Sequence, residues 1–170
     1  MNNGLKFDPS KLMRARFARA IHDQMAKNKD IYVIAGDLGY KMWDTIRTDY
    51  PDRFINTGAA EQTMMGLSVG LALKGKIPVV YSITTFLLYR PFETIRNYVH
   101  HEKIPVKLIG AGRNRDYRHD GISHWAEEDR EVMKILHNIK ARWPDDSADI
   151  DGLVADMVED PNPWYINLKR

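Results

Sequence analysis

A chain of 170 residues with 44% hydrophobic content closes one core and has little material for a second, so residues 1–170 are expected to form a single domain. The net charge is +2, with acidic and basic residues interspersed, which is not the signature of a polyanion-binding protein. The absence of cysteine removes disulfides, thiolate nucleophiles and zinc-thiolate sites together, Met1–Ser10 lacks the apolar centre of a secretory signal, and no apolar run approaches the roughly 20 residues that span a bilayer. A soluble cytoplasmic protein with neither nucleic acid nor membrane as partner is the expectation.

Asp8-Pro9-Ser10 offers an N-cap, and Leu12, Met13, Ala15, Phe17, Ala20, Ile21, Gln24 and Met25 then recur at helical spacing, which predicts an amphipathic helix ending near Asn28. Ile31–Ala35 is an apolar run stopped by Gly36-Asp37, the pattern of a strand buried on both faces. Lys41–Tyr50 predicts a helix carrying Met42, Trp43 and Ile46, closed by Pro51. Phe54–Asn56 read as the end of a short strand and Gly58 as a turn, and a helix of apolar and small residues follows from Ala60. Gly66, Ser68, Gly70 and Ala72 on this helix predict close approach of another backbone, in a helix pair or a subunit contact.

That helix puts Glu61 in its first turn. A charge in so apolar a segment costs several kcal/mol of desolvation unless it is paired. Two readings stand at this point. In one, Glu61 caps the helix or sits on its positive end with its carboxylate in solvent; in the other, the carboxylate is kept in an apolar niche to exchange a proton with a ligand.

Pro78–Ile83 repeats the buried-strand pattern, and Thr84-Thr85 offer a cap for a helix running to His101 on which Phe86, Tyr89 and Phe92 fall at regular spacing. Three aromatics so placed suit an ordinary core as well as a stacking pocket. Val106–Ala111 predicts another strand, and Gly112–Ser123 is a polar loop too long for a plain connection. Trp125–Leu136 predicts a helix, Ile139–Trp143 a strand, Ser147–Val158 a helix and Trp164–Leu168 a last strand.

Strand and helix alternate about six times, so the expected fold class is α/β, a three-layer α/β/α domain whose mostly parallel sheet has right-handed crossovers. Ligands bind such sheets beyond the carboxyl ends of the strands. Asp37, Gly58 to Glu61, Thr84 to Tyr89 and Gly112 to His124 all follow predicted strands, so the unusual clusters fall on one rim.

Four blocks then carry a resemblance: Gly36-Asp37-Leu38, RFINTGAAEQ from Arg53 to Gln62, YSITTFLLYRPFETIRN from Tyr81 to Asn97, and HDGISH from His119 to His124. In their order and spacing the chain resembles, from about Arg14 to Leu168, the pyrimidine-binding domain of transketolase-like thiamine diphosphate enzymes, including the separately encoded second subunits of split transketolases. The resemblance implies that Glu61 hydrogen-bonds a ring nitrogen of the cofactor's aminopyrimidine. It implies that Phe86, Tyr89 and Phe92 build the aromatic pocket around that ring and that Asp37 is an acidic rim residue near the thiazolium side. It further implies that Asp120 and His124, on one loop with His119, meet substrate hydroxyl groups.

Two departures from the family pattern stand out. Where transketolases carry a histidine soon after the preceding strand this chain has Gly112, and Arg113, Arg115 and Arg118 replace a glycine-rich approach. These arginines suit bidentate binding of an anionic substrate, a solvated loop or a partner contact. The family's magnesium and diphosphate motif is also missing, since Asn56 follows Gly36-Asp37-Leu38 too closely. The resemblance therefore implies a half-enzyme: a separate subunit would carry the diphosphate-binding domain and Mg2+, in an α2β2 assembly acting on a sugar or sugar phosphate. The expected reaction is two-carbon ketol transfer from a ketose-type donor to an aldehyde. A split 2-oxo acid decarboxylase or carboligase, and a non-catalytic scaffold relic, are the alternatives.

Overall fold

The computed structural model describes residues 12–170, and the Asp8-Pro9-Ser10 cap lies outside them. Six parallel strands form one sheet: β1 (Ile31–Ala35), β2 (Phe54–Asn56), β3 (Ile77–Ile83), β4 (Lys107–Ala111), β5 (Lys140–Arg142) and β6 (Trp164–Leu168), in the order β2-β1-β3-β4-β6-β5. The registers pair Val33 with Val79, Val79 with Lys107 and Lys107 with Trp164. Helices cover both faces, which is why the strands read as unbroken apolar runs.

The pleat divides the strand residues between two cores. Val33, Ala35, Val79, Tyr81, Ile109 and Ile166 face one layer, built from α1 (Met13–Lys27), α2 (Asp44–Asp49) and α7 (Ile150–Glu159). Ile34, Val80, Leu108 and Tyr165 face the other, built from α3 (Glu61–Leu73), α4 (Thr84–Tyr89), α5 (Phe92–Thr94) with its continuation Ile95–His101, and α6 (Asp129–Ile135). β1 has β2 on one side and β3 on the other, and the helices that follow β1 and β2 lie on opposite faces. The chain therefore reverses direction at the β1/β3 boundary, the place at the carboxyl ends of the strands where such sheets bind ligands.

Several element boundaries differ from expectation. Lys41 has φ of +59° and Gly39 +89°, backbone that a right-handed helix does not admit, so α2 starts at Asp44. Pro91 lacks an amide hydrogen and divides the helix expected from Thr84 to His101; its last part, Ile95–His101, is wound as a π-helix. Trp125 and Ala126 do not open α6, because Ala126 is bridged to Asn114 across the rim loop. The hydroxyls of Thr84 and Thr85 do not cap α4: Thr84 Oγ1 donates to the carbonyls of Ala111 (3.2 Å) and Gly112 (2.8 Å), and Thr85 Oγ1 to that of Ser123 (2.6 Å). Both tie α4 to the rim.

On α3 the small residues also separate. Ser68 is buried and donates to the Met64 carbonyl at 2.7 Å, while among the described residues no atom lies within 4 Å of a would-be Cβ at Gly66 or Gly70. Among the described residues no helix is long and apolar enough to cross a membrane.

Candidate active site at the carboxyl rim

Glu61 opens α3 beside the ends of β1 and β3 and is 3% exposed. Its carboxylate turns across the rim instead of capping its own helix. Oε2 accepts from Arg90 Nη1 at 2.8 Å, and Ser82 Oγ, at the end of β3, stands 3.5 Å from Oε1. The end of β1 lies against the same group, since a Cβ at Gly36 would sit 3.7 Å from Oε1 and 3.5 Å from Met64 Sδ. The niche is thus apolar on the α3 side and paired on the other, which excludes the solvated-cap reading.

Arg90 follows α4 and lies over Phe86, its guanidinium carbon 3.8 Å from the ring centroid. Phe86 in turn meets His124 edge to face at 4.8 Å and 68°. Glu61, Arg90, Phe86 and His124 therefore form one chain of contacts along the rim. His124 Nδ1 is 3.0 Å from Ser123 Oγ. Tyr89 and Phe92 are half-buried and pack on the α3-side core, so of the three aromatics Phe86 lies nearest the carboxylate's partner. The Tyr89 hydroxyl is buried, and that burial, with Glu128 and Asp129 nearby, pushes its pKa up.

The rim loop places the remaining expected residues differently. His119 and Asp120 are exposed on the turn Arg118–Asp120, on the loop that carries His124. Asp37 is exposed with φ of +58° and does not cap α2; its Oδ1 accepts from Asn56 Nδ2 at 3.2 Å, and Asn56 Oδ1 accepts from the Asp37 amide at 3.0 Å. That bridge joins the ends of β1 and β2.

Arg113 requires a correction. It is 5% exposed, with Nη1 donating to Asp145 at 3.0 Å and Nη2 to the carbonyls of Pro144 (2.9 Å) and Asn167 (2.7 Å). Burial lowers its pKa against the pull of Asp145. Its hydrogen bonds hold β6 and the segment after β5, so it offers no fork to a substrate anion. Arg115 pairs with Glu127 at 2.9 Å and lies over Trp125, and Arg118 is exposed.

Three residues of this rim escaped the sequence reading: Arg90, Ser82 and Tyr117. Arg90 had a signal, because it follows Phe86 at i+4, the helical spacing that brings two side chains together. Tyr117 had none. Its ring lies against Gly112, whose added Cβ would come within 2.3 Å of it, and its hydroxyl accepts from Arg14 Nη1 at 3.2 Å. The sequence departure at Gly112 is therefore filled by an aromatic from the same loop.

Fold and rim together define an α/β domain that presents a buried carboxylate at the switch point of a parallel sheet. The chain belongs to the transketolase pyrimidine-binding domain family, whose profile matches residues 10–170. It is 30% identical over 159 residues to a putative transketolase C-terminal section of Methanocaldococcus jannaschii, covering 93% of this chain and 50% of that protein. It is 31% identical over 145 residues to the 6-deoxy-6-sulfo-D-fructose transketolase subunit SqwH of Clostridium sp., covering 84% and 45% respectively. Among solved structures, a split-gene transketolase in an inactive β4 tetramer superposes with a TM-score of 0.82 at 32% identity, over 93% of this chain and 51% of that one. The transketolase of Campylobacter jejuni shares the fold, with a TM-score of 0.78 at 19% identity over 91% of this chain and 25% of that one. The chain thus spans about half, or less, of the length of these relatives.

Proposed function

We propose that this chain is one subunit of a split thiamine diphosphate-dependent, transketolase-like enzyme that moves a two-carbon ketol unit from a ketose-type donor to an aldehyde. In this reading a separate subunit carries the diphosphate-binding domain and its Mg2+. The observation that carries it is the buried Glu61 carboxylate, separated from the face of Phe86 by one guanidinium, that of Arg90. A planar, N–H-bearing group fits there, since the Arg90 guanidinium already makes both contacts.

Glu61 would hydrogen-bond a ring nitrogen of the aminopyrimidine, accepting its N–H in the imino or ring-protonated form. A carboxylate in a dry niche makes a stronger hydrogen bond than one in water, and so polarises the ring it holds. Phe86 would offer its face to that ring, and Tyr89 and Phe92 would complete the aromatic pocket. When bound, the cofactor supplies the carbon nucleophile and the electron sink. His124, with His119 and Asp120 on the same loop, would meet hydroxyl groups of a sugar, and Asp37 would stand at the rim near the thiazolium side. The relatives described as a subunit, a C-terminal section and a split gene support a two-chain enzyme. The outward side of α3, where Gly66 and Gly70 are open and Leu73 is 68% exposed, supports burial of this face in an α2β2 assembly.

The test is reconstitution with the partner subunit. Glu61→Ala and Glu61→Gln should nearly abolish turnover of a ketose phosphate with an aldehyde acceptor while the far-UV spectrum stays native, and the free chain should bind thiamine diphosphate negligibly. Undiminished turnover in either variant, or turnover of pyruvate in place of the ketose, refutes the reading.

A further inference from the structure

Glu61 is a buried carboxylate, and the cation that compensates it is not buried with it. The Arg90 side chain is 46% exposed, makes one hydrogen bond to Glu61 and otherwise rests on the face of Phe86. Arg113 is the internal contrast: there the guanidinium is enclosed and donates to three oxygens of two segments, a group built to stay. Arg90 follows the last turn of α4, directly before Pro91, and can turn outward into water without disturbing a helix.

The geometry points to Arg90 as a placeholder for the ligand ring: in the free chain its guanidinium fills the slot between Glu61 and Phe86, and it must swing out before an aminopyrimidine enters. A guanidinium is flat, presents N–H groups in its plane and stacks on aromatic faces. An aminopyrimidine protonated at its ring nitrogen asks for the same two contacts, an N–H to the carboxylate and a face on Phe86. Entry of the ring is then an exchange in which the carboxylate never loses its donor and the guanidinium returns to water. Held this way, the niche neither collapses nor pays the penalty of an unpaired buried charge while the subunit waits for its partner. The inference rests on Glu61 being the acceptor for the ring.

Occupancy sets the size of the effect. A slot filled by Arg90 more than nine-tenths of the time weakens the apparent affinity of a competing ring by about tenfold or more. The test uses the full chain without a partner and the isolated pyrimidine half of thiamine, 4-amino-5-hydroxymethyl-2-methylpyrimidine, titrated by NMR with the Phe86 ring resonances as reporter. Arg90→Ala should bind this probe at least tenfold more tightly than wild type. Arg90→Gln, which keeps an N–H donor and guards against misfolding, should show a smaller gain. Adding Glu61→Gln to either variant should remove the gain. Equal or weaker binding by both Arg90 variants overturns the placeholder, and if Glu61→Gln still abolishes binding, the role of Glu61 survives it. A gain that persists without the carboxylate overturns both, and no binding by any variant overturns the placeholder alone.

Discussion

Adding one methyl group at Gly110 tests how α4, which carries Phe86 and leads into Arg90, is pinned beneath the rim. A Cβ at this position in β4 would lie 2.6 Å from Thr84 Oγ1, and 3.3 Å from both Thr84 Cβ and Tyr165 Oη. Thr84 Oγ1 is not free to yield, because it donates to the carbonyls of Ala111 and Gly112 from a fully buried position. Relief by rotating the hydroxyl away strands a buried donor, which costs about 1–3 kcal/mol. Overpacking adds about 1–3 kcal/mol, and the lost flexibility of glycine in the unfolded chain returns about 0.4–1 kcal/mol. Gly110→Ala should therefore destabilise the chain by about 3 kcal/mol, measured by urea unfolding with unchanged slope. Thr84→Ala in the same chain removes the clashing oxygen and should recover about 2 kcal/mol of that loss, a coupling well outside the additivity of independent sites. Additive effects of the two substitutions would refute the packing argument.

Arg113→Gln should lower stability by several kcal/mol, because a buried, multiply bonded guanidinium is lost, and should leave the KM for a phosphorylated donor unchanged in the reconstituted enzyme. A raised KM at unchanged melting temperature would restore the substrate-binding role. Lys107, whose Nζ donates to the carbonyls of Asp160 and Asn162 at 2.6 Å each, has its pKa pushed down to about 8 by burial, against an ordinary value of 10.5. Between these values the unfolded chain holds a proton that the folded one has released, so Lys107 makes stability rise as pH increases. Thermal unfolding from pH 8 to pH 10 should show wild type gaining on Lys107→Met across this window, and parallel curves would disprove it.

The fold class was legible because burial on both faces leaves its mark residue by residue. Ile31–Ala35 and Trp164–Leu168 are strands with the bounds their apolar runs suggest, and every clustered loop does follow a strand onto one rim. Helix starts were less legible. Lys41 and Trp125 look like helix residues in one dimension, and only the left-handed turn at Gly39 to Lys41 and the bridge between Asn114 and Ala126 keep them out.

The polar contacts of the site divide in the same way. A carboxylate at the head of an apolar helix is visible in the sequence, and with it the need for a counter-charge. Its partner Arg90 lies 29 residues further on, and Arg113 closes on the carbonyl of Asn167 across 54. Hydropathy and spacing record which side chains leave water, since burial is a property of each residue along its own strand or helix. Which donor meets which acceptor depends on how the crossovers bring distant loops together at the rim, and that pairing exists only once the sheet has formed.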